Sequence, residues 1–392
     1  MQTLGLAVSP PLHIALVGPL YPYRGGIAHF THSLGRRLEA RGHRLSPVTF
    51  HRQYPEFLFP GRTQFETSRP PDAFDAPRLL DTINPVSWER TARHLRGLAP
   101  DAVVFQYWMS FLAPSLGSVA RRLGEARRLA VVHNALPHER RPGDRALGRY
   151  ALGAMGGLLV LSESVRRDVE GLAPGVPVRQ AAHPVYDFFG DPVPRGEARA
   201  ALGLPADAPV LLFFGFVRRY KGLHVLLDAL PQIRVRVPRV RLVVAGEFYD
   251  DAAPYRQQVR HLGLEDVVRF DAEYVPNERV APYFGAADLV VQPYLSATQS
   301  GVANVAYHFE RPLVTTDVGG LAETVPSDAG LVVPPEDPAA LADAVARFFE
   351  RRLAGRLAEG VRRMKADGGW DGVCAAVEAL ATGTRQLPGT RS

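Results

Sequence analysis

Phe214-Gly215-Phe216-Val217-Arg218-Arg219-Tyr220-Lys221-Gly222 lies where an apolar, strand-like run ends and a helical pattern begins. Cations and glycines at such a place make an anion site. The unpaired N–H groups and positive dipole end of a helix N-terminus attract negative charge, and Arg218 with Lys221 adds two full charges. Gly215 and Gly222 allow the backbone to turn closely around a guest, for which a diphosphate is the natural choice. Lys221 and Lys365 are the only lysines among 46 basic residues, so a lysine inside this stretch carries more weight than another arginine. The plain alternative is a pair of solvated surface cations, the usual state of such residues in a basic protein. The strand, glycine and helix setting argues against it.

A second polar turn, Thr298-Gln299-Ser300-Gly301-Val302, opens a later helical stretch. Its backbone N–H groups can meet phosphate or sugar hydroxyls, and its hydroxyls can equally do no more than cap the helix. No Gly-x-x-x-x-Gly-Lys-Ser/Thr loop occurs, and no Gly-x-Gly-x-x-Gly fingerprint follows a strand, which weakens ATPase and dehydrogenase readings. The acidic Asp-x-Asp pattern that holds a divalent metal is also absent. The single cysteine, Cys374, has neither a disulfide partner nor neighbouring zinc ligands.

The elements that must position these residues follow an α/β rhythm. His13 to Gly18 reads as a strand ending in glycine, and Ile27 to Arg41 as a helix with Phe30, Leu34 and Leu38 on one face. Strand-like runs recur at Ala102–Gln106, Leu129–His133 and Leu158–Leu161. After a stretch rich in Pro, Gly and Ala, from Gly171 to Asp207, the alternation restarts at Val210 and continues to Arg352. Two doubly wound, Rossmann-like α/β domains are expected, at residues 1–190 and 191–365. Residues 366–382 read as a helix returning toward the first domain, and 383–392 as a disordered tail.

Apolar residues are 46% and charged residues 22% of the 392, a globular balance with enough core for two domains. The first twelve residues lack the basic start of a signal peptide, and no apolar run spans a bilayer, so a cytoplasmic protein is expected. The net charge of +6 invites anionic partners. Nucleic acid is disfavoured because the arginines are dispersed and accompany no recognition helix. The pairs Arg121-Arg122, Arg127-Arg128 and Arg140-Arg141 suit anionic lipid headgroups at the inner face of a membrane, or simply solvated helix faces.

In this order along the chain, several short stretches together resemble the retaining glycosyltransferases of family 4, which have the GT-B fold. They are Gly25-Gly26, His133-Asn134, Arg218 to Gly222, Ala245-Gly246-Glu247, Ala287-Asp288-Leu289 before Pro293-Tyr294, and Thr315 to Glu323. The resemblance implies two Rossmann-like domains facing a central cleft, residues 1–190 binding the acceptor and 191–365 the nucleotide sugar, and transfer of a sugar with retention from a nucleotide-diphosphate sugar. The acceptor hydroxyl would belong to a glycan, a lipid-linked molecule or a small molecule, as in bacterial polysaccharide or cell-envelope synthesis. It also implies that no cofactor or metal is needed. Arg218 and Lys221 would stabilise the leaving diphosphate, His133 would face the donor sugar, and Gly25-Gly26 would approach it closely. Glu247 and Glu323 would make outer contacts. Attack would come from the front face, with donor phosphate taking the acceptor's proton.

Two departures stand out. The family commonly has an arginine directly after the glycine, where this chain has Phe216, with Arg218 two residues on. Members also carry two glutamates seven residues apart near the donor sugar and ribose, and the corresponding stretch, Ser296 to Tyr307, has neither. That loss favours, as an alternative, a glycosyltransferase-like subunit that binds without catalysis. A nucleotide-sugar epimerase on the same architecture is the other rival.

Overall fold

The computed structural model describes residues 10–55, 63–66, 69–137, 141–185, 189–249, 251–297, 300–367 and 369–383. The chain divides into two compact units. One comprises Met1–Leu58, Gln64–Ala182 and Trp370–Ser392, and the other includes His183–Gly369.

The first unit is built from β1 (His13–Val17), α1 (Gly26–Ala40), β2 (Arg44–Arg52), β3 (Arg78–Asp81), α2 (Pro85–Leu98), β4 (Ala102–Tyr107), α3 (Ala113–Ala120), β5 (Arg127–Val132), α4 (Asp144–Leu152), β6 (Gly157–Val160), α5 (Glu163–Leu172) and β7 (Val178–Gln180). Its seven strands form a parallel sheet in the order β3-β2-β1-β4-β5-β6-β7. Parallel strands are covered by helices on both faces and read as continuous apolar runs, and all six residues of β4 are buried.

The second unit contains α6 (Arg195–Ala201), β8 (Val210–Phe214), α7 (Leu223–Arg236), β9 (Arg241–Ala245), α8 (Ala253–His261), β10 (Val268–Asp271), α9 (Val280–Ala286), β11 (Leu289–Gln292), α10 (Gly301–His308), β12 (Leu313–Thr316), β13 (Gly330–Val333), α11 (Pro338–Glu350) and α12 (Ala354–Asp367). Its parallel sheet runs β10-β9-β8-β11-β12-β13. In each sheet the strand order reverses once, between β1 and β4 and between β8 and β11. Open α/β sheets bind ligands at the carboxyl ends of the strands flanking that reversal.

Four strands escape a reading by apolar runs. β2 carries Ser46, Pro47, Thr49 and His51, and β3, β7 and β13 span only three or four residues. The Pro- and Gly-rich stretch from 171 to 207 also holds β7 and α6, and the boundary between the units falls inside it, after Ala182. The stretch read as one helix at 366–382 takes in the end of α12 and α13 (Asp371–Thr382), two helices that belong to different units. Gly383 ends the second of these in a left-handed conformation, and residues 384–392 of the expected disordered tail lie outside the described residues.

Within the first unit α13 is fixed by charge and by packing. Arg41 donates two hydrogen bonds to the Glu378 carboxylate, at 2.6 and 3.0 Å, and His43 Nε2 stands 3.0 Å from it. Trp370 packs on Phe30 of α1, with ring centres 5.0 Å apart. Among the described residues no helix is long and apolar enough to cross a membrane.

Helix α2 ends on Ala99, which adopts φ 45° and donates its N–H to Arg96 O. An L residue in this region carries about 1–2 kcal/mol of Cβ strain, and glycine there instead adds about 0.4–1 kcal/mol of unfolded-state freedom. Ala99→Gly is expected to stabilise the protein by up to about 1 kcal/mol, read as a higher denaturant midpoint; an unchanged or lower midpoint would contradict the strain argument.

Candidate active site

The anion-site residues stand at the reversal point of the second sheet. β8 ends at Phe214, and Gly215 turns the chain at φ 92° with its N–H on Ala245 O. Gly246, after β9, approaches so closely that a Cβ there would lie 2.2 Å from Gly215 O. Arg219–Lys221 forms a single 3₁₀ turn, followed by Gly222 at φ 69° as the N-cap of α7. A Cβ on Gly222 would lie 1.8 Å from the carbonyl oxygen of Pro293, just beyond β11. Leu295 N–H donates to Tyr220 O at 2.7 Å, tying the loop after β11 to the same turn. Both glycine positions therefore require glycine for backbone reasons.

Lys221 is only 8% exposed, unlike a solvated surface cation. Its Nζ lies 3.3 Å from where a Gly215 Cβ would stand and 5.6 Å from the Tyr294 ring centre. Burial, with the nearby Arg218 charge, pulls its pKa down from 10.5 to about 8. The Arg218 guanidinium carbon lies 5.2 Å from the ring centre of Tyr249 and 5.8 Å from that of Tyr220. Among the described residues no carboxylate pairs with either cation. Two neighbouring positive charges, one of them desolvated and neither neutralised, form a site that an anion would stabilise.

Helix α10 brings the second polar turn to the same place. Val302 Cγ2 would touch a Cβ on Gly215 at 3.3 Å. Ser300 caps the helix, accepting from Ala303 N, and receives a 3.0 Å hydrogen bond from Gln292 Nε2. Gln292 Oε1 is buried without a hydrogen-bond partner. Gly301 opens the helix and is exposed. Thr298 and Gln299 lie outside the described residues. Glu247 is buried, and its backbone carbonyl accepts from Val217 N, while Glu323 is exposed on a 3₁₀ turn after β12. Gly215, Lys221, Gly222, Ser300 and Val302 thus form one cluster with Arg218 at its side.

The remaining expected site residues belong to the first unit. His133 directly follows β5 and is 4% exposed, its Nε2 2.8 Å from Gln106 Oε1 and its ring edge-on to Phe30 at 4.7 Å. Gly25 is the N-cap of α1 at φ 104°, with Gly26 the first, exposed helical residue. A Cβ on Gly25 would meet nothing within 4 Å. Its requirement for glycine therefore comes from backbone conformation, not from crowding within the protein.

Sequence reasoning missed Gln106, Tyr249 and Gln292. A buried glutamine within an apolar strand reads as core, and Tyr249 stands in a loop far from the motif in sequence. The arginine pairs offered for lipid headgroups are partly used elsewhere: Arg121 donates to Gly117 O and Tyr150 O and covers the Tyr150 ring, and Arg122 donates to Ser118 O. Arg140 lies outside the described residues. Among the described residues no group of three or more His, Cys, Asp or Glu side chains is arranged to hold a metal ion.

Comparison with known proteins agrees with this division. The family model described as "Glycosyltransferase Family 4" matches residues 24–179, and that described as "Glycosyl transferases group 1" matches residues 208–351. D-inositol 3-phosphate glycosyltransferase 1 of Catenulispora acidiphila is 33% identical over 297 residues, covering 70% of each chain. A second such protein from that organism is 37% identical over 190 residues, and one from Xylanimonas cellulosilytica is 34% identical over 213. The chain matches only 44% and 50% of the length of these last two, so about half of each. Among solved structures, sucrose-phosphate synthase from Thermosynechococcus elongatus superposes with a TM-score of 0.73 at 21% identity, covering 95% of this chain and 98% of the other. Anabaena HepE in complex with UDP gives 0.68 at 16% identity, covering 95% and 99%. These structural likenesses establish the fold, and the sequence matches establish kinship: the chain belongs to glycosyltransferase family 4 and has the GT-B fold.

Proposed function

We propose that the chain transfers a sugar, with retention and without a metal, from a nucleoside-diphosphate sugar to an acceptor hydroxyl. The observation that carries this reading is the buried, uncompensated Lys221 beside Arg218, at the glycine-pinned turn where the second sheet reverses its strand order. A diphosphate placed there neutralises both cations. As the glycosidic bond breaks, negative charge grows on the diphosphate, and charges already in position stabilise that growth more than they stabilise the bound donor. A phosphate oxygen then takes the acceptor's proton, so the reading requires no nucleophilic carboxylate. His133 is assigned to the donor sugar, and Ser300, Gly301 and Val302, with Thr298 and Gln299, to the donor's polar groups. The solved complexes of HepE with UDP and with UDP-glucose support a uridine nucleotide as the first probe. The acceptor is a glycan, a lipid-linked molecule at an anionic membrane surface, or a small polyol like the inositol 3-phosphate named for the curated relatives.

The absent glutamate pair favours a second reading, a binding subunit without catalysis. Slow donor hydrolysis in the absence of acceptor separates the two, since a subunit that only binds would release no sugar. Thermal-shift screening against nucleotide sugars selects the donor for these measurements.

Replacing either cation is expected to lower kcat by on the order of 10² or more. Lys221→Met suits the buried site better than truncation, and removing an unpaired buried charge should leave stability equal or higher. Arg218→Ala should act similarly, whereas Arg219→Ala, on the exposed side of the turn, should stay within a few-fold. Steady-state kinetics with unchanged turnover for Lys221→Met would place the diphosphate elsewhere.

The pH dependence follows from Lys221. Its pKa of about 8 in the empty site must rise when a diphosphate binds, so binding takes up a proton above pH 8. Calorimetric affinity for UDP is expected to fall as pH rises above 8, with a slope approaching one log unit per pH unit, and Lys221→Met should flatten that slope. The empty protein follows the opposite sign. Because the folded pKa lies below the unfolded value, the penalty of burying the ammonium is lifted between about pH 8 and 10.5, and this group adds stability as pH rises through that window. A slope unaltered by the substitution would remove Lys221 from the site.

Turnover is expected to persist in excess EDTA. Complete loss on chelation, restored by magnesium or manganese, would overturn the metal-free reading.

A further inference from the structure

The first sheet also has a reversal point, between β1 and β4, and a polar group is buried there that the proposed chemistry has not used. Gln106, the penultimate residue of β4, is fully buried. Its Oε1 faces His133 Nε2 at 2.8 Å, while its Nε2 is buried with no hydrogen-bond partner. Gly18, the first residue after β1, makes room for it: a Cβ on Gly18 would stand 2.5 Å from Gln106 Cγ and 3.1 Å from its Cβ.

A buried amide that leaves one donor unsatisfied weakens the fold relative to an apolar side chain of the same size. What its oxygen holds is the one feature of the position that an apolar residue could not supply. We infer that Gln106 is a positioning residue for His133, setting the imidazole's plane and tautomer for contact with the donor sugar. This rests on the assignment of His133 to that sugar.

The chemistry is local. A carbonyl oxygen only accepts, so His133 Nε2 is the donor in this contact, and in the neutral form of the imidazole Nδ1 is then the lone-pair atom. Phe30, edge-on to the imidazole at 4.7 Å, restrains its tilt, and Trp370 packs behind Phe30. The hydrogen bond settles what packing alone leaves open, namely which nitrogen is protonated. Gly18 enters the same arrangement by leaving space for the amide, so three residues at the ends of β1, β4 and β5 act as one unit.

Two measurements on the full-length protein test this. The first is ¹⁵N NMR of His133, assigned by its loss in His133→Ala, which reads the tautomer without needing any substrate. The Nε2-protonated form is expected in the parent and a mixture of tautomers in Gln106→Leu. An Nδ1-protonated ring in the parent, or an unchanged tautomer in Gln106→Leu, would overturn the inference. The second is kinetics with the donor selected by screening. Gln106→Leu is expected to lower kcat at least tenfold with UDP affinity within two-fold of the parent, because the cations assigned to the diphosphate lie in the other unit. Gln106→Glu places a carboxylate against Nε2 and should keep the tautomer while moving the acidic limb of the pH–rate profile upward. If Gln106→Leu does not fold, the tautomer and profile of Gln106→Glu decide. Full activity of Gln106→Leu beside an inactive His133→Ala would sink the positioning role and leave the sugar assignment standing. Full activity of His133→Ala would instead remove the sugar assignment.

Discussion

The contact between Gly246 and the carbonyl of Gly215 governs the second unit's carboxyl rim. Two strand ends meet there with no side chain between them, and any Cβ would collide with backbone rather than with a movable group. The chain leaving β8 is thereby committed to a left-handed turn, and Gly222 repeats the device against Pro293 at the end of β11. Between these two fixed points the six residues from Phe216 to Lys221 have little freedom. Lys221 is carried inward and Arg218 is left near aromatic rings as a result of backbone geometry, with no ion pair among the described residues to guide either. A buried ammonium is costly by itself, and it is tolerated here because surrounding packing dictates its position.

The first unit solves the corresponding problem with neutral groups. Its rim, where β1 and β4 part, carries an imidazole and an amide held by a hydrogen bond. Charged groups serve its architecture instead. Glu378, Arg41 and His43 fasten the last helix, so a segment that leaves the chain's second half contributes to the first unit's core through Trp370. The two matched family regions fall one in each unit.

Much of this is legible in the sequence, for identifiable reasons. Buried parallel strands are continuous apolar runs, so β4, β5, β8, β9 and β11 announce themselves. The glycines around Lys221 are visible because no other residue could satisfy both turns. What stays hidden has physical causes as well. β2 alternates polar residues and a proline, which argue against a strand until its neighbours β1 and β3 are known. The burial of Lys221 cannot be read from its neighbours in sequence, because Tyr294, whose ring stands 5.6 Å from its Nζ, comes from the loop after β11. Gln106 looks like a lone polar residue in a core strand until His133 is brought beside it. The left-handed backbone angle of Gly25 cannot be read from sequence, although the glycine itself can.

Lysine is scarce in this chain, and the structure gives its two copies different surroundings. Lys365 donates to His308 O at 2.9 Å, closing the last turn of α10. An amine with a pKa of about 8 is unprotonated in about a quarter of molecules at pH 7.5, far more than an ordinary lysine. Lys221 is therefore more nucleophilic than an ordinary lysine toward an electrophile small enough to enter the turn, or one bearing its own phosphate. An anion seated beside it would hold the proton on and silence it. The covalent reactivity of this single side chain is thus a built-in gauge of whether the anion site is filled.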